Sequence, residues 1–422
     1  MLQSKNLRIL LSAYQCSPGM GSVSQIGWEW YRRLEPQCQL TLLTHKRNQT
    51  ALEAAGAPLG DSQIIYIDSE FFAGPLYRLA SWLFPHSEHP RFLIASADFF
   101  VFDYLAWAAA KRLIDQGQHF DVVHQVTPVS PMAATRLHRL DLPLVLGPWN
   151  GGMDSPNTFP EIMKKESKWL YPIRNLGRIA DTLLGSTRKA RLIFTATQAT
   201  LKTIPSRYQT KCSKLLENGV NLDWFQAVTF PMPPSDRVPL HVLFVGRLLP
   251  FKGVEMLLEA VKQLNFPVRV SIVGEGPERK VLEALAEQPA LHGKIHFTGN
   301  VPLQDIATIL QQAHVFCLPS IRESGGAVLL EAMAVARPVI AVDFGGPAEI
   351  VDDAVGALLP ASGREHLIQR LVQLLEDVRQ NPVQWRQRGE QGRKRVESLY
   401  SWDAKISIAL SHYQRLTEET PP

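Results

Sequence analysis

Val242-Leu-Phe-Val245-Gly246-Arg247-Leu-Leu-Pro250-Phe-Lys252-Gly253 is an apolar run that ends on glycine, then a turn with two cations, then a helical stretch from Met256 to Val261. A short apolar run followed by a helix reads as a buried parallel strand of an α/β sheet. The unit recurs downstream at Val268 to Val273, Ile295 to Thr298, Val315 to Leu318 and Val339 to Val342, each closed by Gly, Pro or a polar turn. It recurs upstream at Leu7 to Ser12, Leu40 to Thr44, Asp121 to His124, Leu144 to Gly147 and Leu192 to Ala196. The pattern predicts two doubly wound parallel sheets.

A chain of 422 residues exceeds one compact core and suits two domains. The proline-rich Phe230-Pro-Met-Pro-Pro-Ser-Asp-Arg-Val-Pro239 extends neither a helix nor a central strand. It reads as a surface loop of the second domain, because Lys214-Leu-Leu-Glu-Asn218-Gly219-Val220 already looks like a strand and turn of that domain. The boundary is therefore expected between residues 206 and 207. From Tyr400 to Tyr413 the apolar spacing is helical.

With 45% hydrophobic and 20% charged residues the composition is that of an ordinary soluble globular protein. A net charge of +4 is too small to argue for nucleic acid without a local cluster, while a membrane surface stays open. Cys16, Cys38, Cys212 and Cys317 form no Cys-x-x-Cys pair, which speaks against a structural zinc site and a disulfide framework and fits a reducing cytoplasm. The N-terminal apolar run is too short for a signal peptide and reads as a strand. Phe92 to Trp107 is interrupted by Asp98 and Asp103 and falls short of the ~20 residues of a membrane span. A buried helix is the expectation there.

Arg247 and Lys252 sit on a strand-to-helix turn, where α/β sheets bind ligands and free backbone amides face outward. A planar fork beside a mobile point charge matches a diphosphate; the bland alternative is a solvated turn. Glu323-Ser324-Gly325-Gly326-Ala327-Val328-Leu-Leu-Glu331 places two carboxylates eight positions apart at the start of a second helix. On one regular helix they would stand ~12 Å apart along the axis. That exceeds the roughly 5–9.5 Å of a glycosidase pair and suits two separate parts of one extended substrate. Each carboxylate alone reads equally as a loop or surface residue. Phe344-Gly345-Gly346-Pro347-Ala348-Glu349 adds a glycine turn after another strand.

Together these motifs resemble the family 4 retaining glycosyltransferases of the GT-B fold. The resemblance rests on Gly246-Arg247-x-x-Pro250-x-Lys252-Gly253, Glu323-x7-Glu331-Ala-Met-Ala, Pro338-Val-Ile-Ala, Gly345-Gly346-x-x-Glu349 and Asn218-Gly219-Val220-Asn221. Ser12-Ala-Tyr-Gln-Cys-Ser-Pro-Gly19-Met-Gly21-Ser and Gly147-Pro-Trp-Asn-Gly151-Gly152 are similar to a bacterial subgroup. The resemblance implies two Rossmann-like domains facing a cleft: 1–206 binding the acceptor, 207–400 binding the nucleotide-sugar, and 401–422 as a helix packing back on the first. It further implies donor contacts from Gly19, Gly21, Gly246, Arg247, Lys252, Glu323, Ser324, Gly325, Gly326, Ala327, Val328 and Glu331. Arg247 and Lys252 would meet the diphosphate, Glu331 the ribose and Glu323 the transferred sugar, with His124 as a further candidate for the sugar or acceptor. No metal or cofactor is implied beyond the nucleotide-sugar co-substrate, and no Asp-x-Asp metal motif is present. The implied partners are that donor and a glycan or lipid-linked acceptor, in bacterial cell-surface polysaccharide synthesis.

The chain also departs from the family pattern. Only His124 remains of a His-x-His pair, Val23-Ser24-Gln25 replaces an expected acidic and Pro-Gly step, and Gly325 replaces an aromatic. Ala336 stands where glycine is common. A Rossmann dehydrogenase lacks support because Gly19-x-Gly21 has no third glycine. A nucleotide-sugar epimerase and a catalytically silent nucleotide-sugar binding protein remain alternatives. Lys164, Lys165, Lys168, Trp169 and Tyr171, with Arg174, Arg178, Arg188, Lys189 and Arg191, read either as a peripheral membrane contact or as a solvated face.

Overall fold

The computed structural model describes residues 7–19, 21–83, 97–152, 158–160 and 180–418. Lys164, Lys165, Lys168, Trp169, Tyr171, Arg174 and Arg178 lie outside them. The described residues fall into two compact units, one from Met1–Gly152, Lys168–Glu217 and Lys405–Pro422, the other from Met153–Ser167 and Asn218–Ala404.

The first unit is built on a seven-stranded sheet of order β3-β2-β1-β4-β5-β6-β7. Its strands are β1 (Arg8–Ala13), β2 (Gln39–His45), β3 (Gln63–Ile67), β4 (Val122–Thr127), β5 (Leu144–Trp149), β6 (Leu192–Thr195) and β7 (Cys212–Lys214). Every pairing is parallel. Helix α1 (Ser22–Leu34) buries Trp30, Tyr31 and Leu34. The helix expected around Phe92 to Trp107 runs over Asp98–Asp115, as α2, and both of its interrupting carboxylates are buried. Asp98 accepts from Tyr14 Oη at 2.8 Å and Ser69 Oγ at 2.7 Å, and pairs with Arg47. Asp103 accepts from the Arg136 amide and guanidinium, and desolvation pushes its carboxyl up to about 6. These contacts explain how two acids sit in an otherwise apolar helix.

The second unit holds a six-stranded sheet of order β10-β9-β8-β11-β12-β13. Its strands are β8 (Leu240–Val245), β9 (Val268–Val273), β10 (Ile295–Gly299), β11 (Val315–Leu318), β12 (Val339–Val342) and β13 (Gly356–Leu359). All its pairings are parallel too. The proline-rich stretch is a loop ahead of β8, clamped by the fully buried Arg337. That guanidinium donates to the Thr229 and Gln311 carbonyls at 3.1 and 2.7 Å and stacks over Phe230.

Two expectations are corrected. Cys212–Lys214 pairs with β6 in the first sheet, so the chain crosses at Glu217–Asn218 and not at residue 206. The Lys214–Val220 stretch finishes one unit before it starts the next. The return crossing falls inside the last helix, Trp402–Glu418, because Lys405 onward belongs to the first unit. There the buried Lys405 ammonium donates to the Leu216 carbonyl, and Tyr413 Oη bonds His124 Nδ1 at 2.6 Å. Among the described residues no helix is long and apolar enough to cross a membrane.

Candidate functional site

The carboxyl edge of the second sheet is assembled by backbone contacts that admit only glycine. Gly253 has φ +72°, and a Cβ on it would stand 2.1 Å from the Pro319 carbonyl. A Cβ on Gly346 would stand 2.2 Å from the Ser324 carbonyl. The loops after β8, β11 and β12 are thereby locked together. Ile321 N donates to the Phe251 carbonyl, and Gly346 N to the Glu323 carbonyl, both at 2.9 Å.

On this frame the sequence-predicted residues converge. Lys252 Nζ meets Glu323 Oε2 at 2.5 Å, with the two side chains only 18% and 16% exposed. Glu323 Oε1 accepts from the Gly326 amide at 3.4 Å. Gly326, at φ +56°, caps the helix Ala327–Ala334, whose first-turn amides have no intrahelical acceptor. Ser324 is exposed, Gly325 and Gly326 are buried, and Ala327 and Val328 are half-buried. The ~12 Å axial separation assumed one helix for both carboxylates. That assumption fails, because Glu323 lies in the loop before the helix and Glu331 within it.

Two groups at this edge have no polar partner among the described residues. Arg247, on the loop after Gly246 at the end of β8, is exposed. Glu331 is half-buried, and desolvation pushes its carboxyl up to about 7. Phosphate and hydroxyl groups of a ligand are the chemistry that such side chains match. Among the described residues no cluster of three or more His, Cys, Asp or Glu is placed to hold a metal ion.

The first unit treats its candidates differently. His124 is fully buried, with Nε2 2.6 Å from the Gly147 carbonyl and Nδ1 receiving the Tyr413 hydroxyl. A carbonyl only accepts, so Nε2 carries the proton and both ring nitrogens are used. Desolvation holds the ring down at about 3. His124 is thus a core residue between Trp30 and Phe194, which corrects its candidacy for sugar or acceptor. Gly19 (φ +74°) and Gly21 (φ +94°) shape the loop from β1 into α1, with open space where their Cβ atoms would be. They belong to the first unit, and the other donor candidates to the second. Gly147 faces the Phe194 carbonyl at 2.4 Å from its Cβ position, and Gly219 faces the Trp402 ring at 2.7 Å. Both of those motifs are packing joints.

Sequence reasoning passed over the loop Gly274-Glu275-Gly276 after β9. Cβ atoms on Gly274 and Gly276 would collide with the Gly246 and Leu248 carbonyls at 2.1 and 2.3 Å, so this loop buttresses the Arg247 turn. Glu275 is tied to Arg279 at 3.0 Å. Its signal was the one used elsewhere, a glycine turn closing a β-branched run.

Residues 233–395 match the family model described as Glycosyl transferases group 1. A 2-deoxystreptamine glucosyltransferase of Streptomyces kanamyceticus is 29% identical over 176 residues, 41% of this chain and 45% of that one. A putative colanic acid biosynthesis glycosyltransferase, WcaL, of Escherichia coli is 35% identical over 163 residues, 36% of this chain and 39% of its own. The chain spans under half the length of these relatives. A glycosyltransferase from Rickettsia africae matches at TM-score 0.65 and 15% identity, covering 98% of this chain and 100% of that one. Anabaena HepE, solved with UDP, matches at TM-score 0.60 and 17% identity over 96% of this chain and 100% of its own. The fold is therefore GT-B. Within it, the second unit carries a group 1 glycosyltransferase domain of the family 4 type.

Proposed function

We propose that the protein is a retaining glycosyltransferase that moves a sugar from a nucleotide-diphosphate-sugar to a glycan or lipid-linked acceptor in cell-surface polysaccharide synthesis. The observation that carries this reading is the Lys252–Glu323 ion pair at the carboxyl edge of the second sheet, with Arg247 on the same loop as Lys252 and Glu331 in the helix that Glu323 precedes, neither side chain having a polar partner among the described residues. Lys252 and Glu323 neutralise each other in their ion pair. A donor separates their roles: Lys252 and Arg247 turn to the diphosphate, Glu323 to the sugar hydroxyls, and Glu331 to the ribose. The donor glycines Gly246, Gly325 and Gly326 let backbone amides approach the same ligand.

As the C1–O bond to the diphosphate breaks, its electron pair leaves on the diphosphate oxygen, where the two cations stabilise the developing charge. The acceptor oxygen forms the new bond to C1 on the same face. Its proton passes to an oxygen of the departing diphosphate, so no separate base is required. Positive charge comes from side chains and amides, and the reaction proceeds without metal. The free, buried thiols of Cys16, Cys38 and Cys317 support a reducing cytoplasmic setting, and a lipid-linked acceptor would be met there at the inner face of the membrane.

The test is turnover of a panel of UDP-, GDP- and ADP-sugars by the full chain, read as nucleotide release and as the anomeric configuration of the product. One donor class is expected to turn over with retention, unaffected by EDTA. Absence of turnover of every donor overturns the reading, inversion overturns the mechanism, and loss of activity in EDTA overturns metal independence.

A further inference from the structure

Between Asp181 and Glu217 the chain carries seven Lys and Arg residues and no Asp or Glu, although the whole chain nearly balances 44 bases against 40 acids. The fold gathers part of this stretch onto one face of the first unit. Lys211 Nζ donates to the carbonyls of Arg188 at 2.7 Å and Ala190 at 3.0 Å, tying the turn before β7 to the entry of β6. The Arg207 guanidinium lies 4.8 Å from the Tyr208 ring centroid, and the Lys211 ammonium lies 5.3 Å from it. From the turn before β5, His138 and Arg139 join the group. His138 is held below its ordinary value by burial and by the positive charges of Arg139, Lys189 and Arg188.

Among the described residues the neighbouring acids do not neutralise the face. Asp181 is consumed in accepting from Ser186 Oγ and the Thr187 amide, and Asp141 follows the turn as a single exposed carboxylate. Arg139, Arg188, Lys189 and Arg207 are all exposed and have no carboxylate partner among the described residues. In the same stretch of chain, five residues before Arg188, Leu183 is 80% exposed.

We infer that this face is a docking surface for an anionic lipid membrane, its cations meeting headgroup phosphates and Leu183 entering the interface. An exposed leucine and a tyrosine set among cations favour a lipid surface over a soluble polyanion, which offers nothing apolar to bury. The inference does not use the donor site, and it is independent of Lys164, Lys165 and Lys168.

The experiment is co-sedimentation of the full chain with vesicles of phosphatidylcholine alone and of phosphatidylcholine mixed with phosphatidylglycerol, without nucleotide-sugar. Binding is expected only to the mixed vesicles and is expected to fade at high salt. Removing three charges in Arg188→Ser/Lys189→Ser/Arg207→Ser should lower partitioning ~100-fold, at roughly 5-fold per cation, with an unchanged melting temperature. Leu183→Ser should lower it ~10-fold through lost apolar burial. Equal binding to both vesicle types overturns the inference, as does a triple variant that melts and partitions like its parent. If Leu183→Ser has no effect and a soluble sulfated polyanion binds as strongly as the vesicles, the partner is the polyanion and the lipid reading fails. A protein inactive on every donor but lipid-binding loses only the proposed activity.

Discussion

The carboxyl edges of the two sheets hold similar residue types and use them in opposite ways. In the second unit Arg247 and Glu331 are left without polar partners among the described residues, and Lys252 with Glu323 forms one ion pair. In the first, Tyr14, His45, Ser69 and Asp98 are closed on themselves. His45 Nδ1 accepts from the Arg47 amide, so Nε2 donates to Ser69 Oγ, which donates to Asp98. A buried polar cluster with every group satisfied rigidifies a fold. One that leaves charges over awaits something else. The proposed ligand-binding edge is therefore distinguished by unspent valence, and counting polar residues would have ranked the two edges alike.

The largest expected effect breaks this contrast at its centre. Lys252→Ala should lower turnover by ~100- to 1,000-fold through lost stabilisation of the leaving charge, measured as initial rate at saturating donor. A variant near parental activity would return Lys252 to the role of a solvated turn residue. His124→Ala tests the other side. Losing two buried hydrogen bonds and core volume should cost about 3 kcal/mol in urea unfolding while donor affinity stays unchanged. A selective loss of activity at full stability would restore His124 to the site.

Glu331 gives a pH signature of intermediate size. Its carboxyl at about 7 lies above the unfolded value of ~4.3. Between those values the folded state holds more protons than the unfolded, so this group's contribution to stability falls as pH rises through that window, by ~1–3 kcal/mol. Comparing unfolding of the parent with Glu331→Gln at the two ends should show that slope flattened in the variant. Equal slopes would mean the carboxyl is not desolvated. The smallest effect is at Ala336, which has φ +59° just past the helix Ala327–Ala334. Left-handed backbone costs a residue with a Cβ ~1–2 kcal/mol, part of which glycine returns as unfolded-state entropy. Ala336→Gly should therefore raise stability by ~0.5–1 kcal/mol, read as a small increase in melting temperature.

Most of both sheets was legible in the sequence. Three of the ten expected strands keep their bounds, Val268–Val273, Val315–Leu318 and Val339–Val342, and the others shift by one to three residues at an end. The three that were missed, Gln63–Ile67, Cys212–Lys214 and Gly356–Leu359, all lie at sheet edges. An edge strand pairs on one side only and needs no continuous apolar run. Gln63 and Lys214 are exposed accordingly. The donor candidates of the second unit were readable because glycines that no other residue can replace mark the turns. His124 misled because a histidine closing an apolar strand carries the same signature whether its ring meets a ligand or the Tyr413 hydroxyl.

That hydroxyl comes from a residue 289 positions later, which sets an order on assembly. At ~5–20 residues per second, the ribosome takes roughly 15–60 s after making His124 to reach Tyr413. Throughout that time the first unit lacks the helix that covers His124 and takes up the Leu216 carbonyl. The second unit, contiguous from Asn218 to Ala404 apart from one short segment, has all its strands in hand sooner. The half of the protein that is translated first is thus the half completed last, and the nascent chain must keep its unfinished core from misassociating until the closing helix arrives.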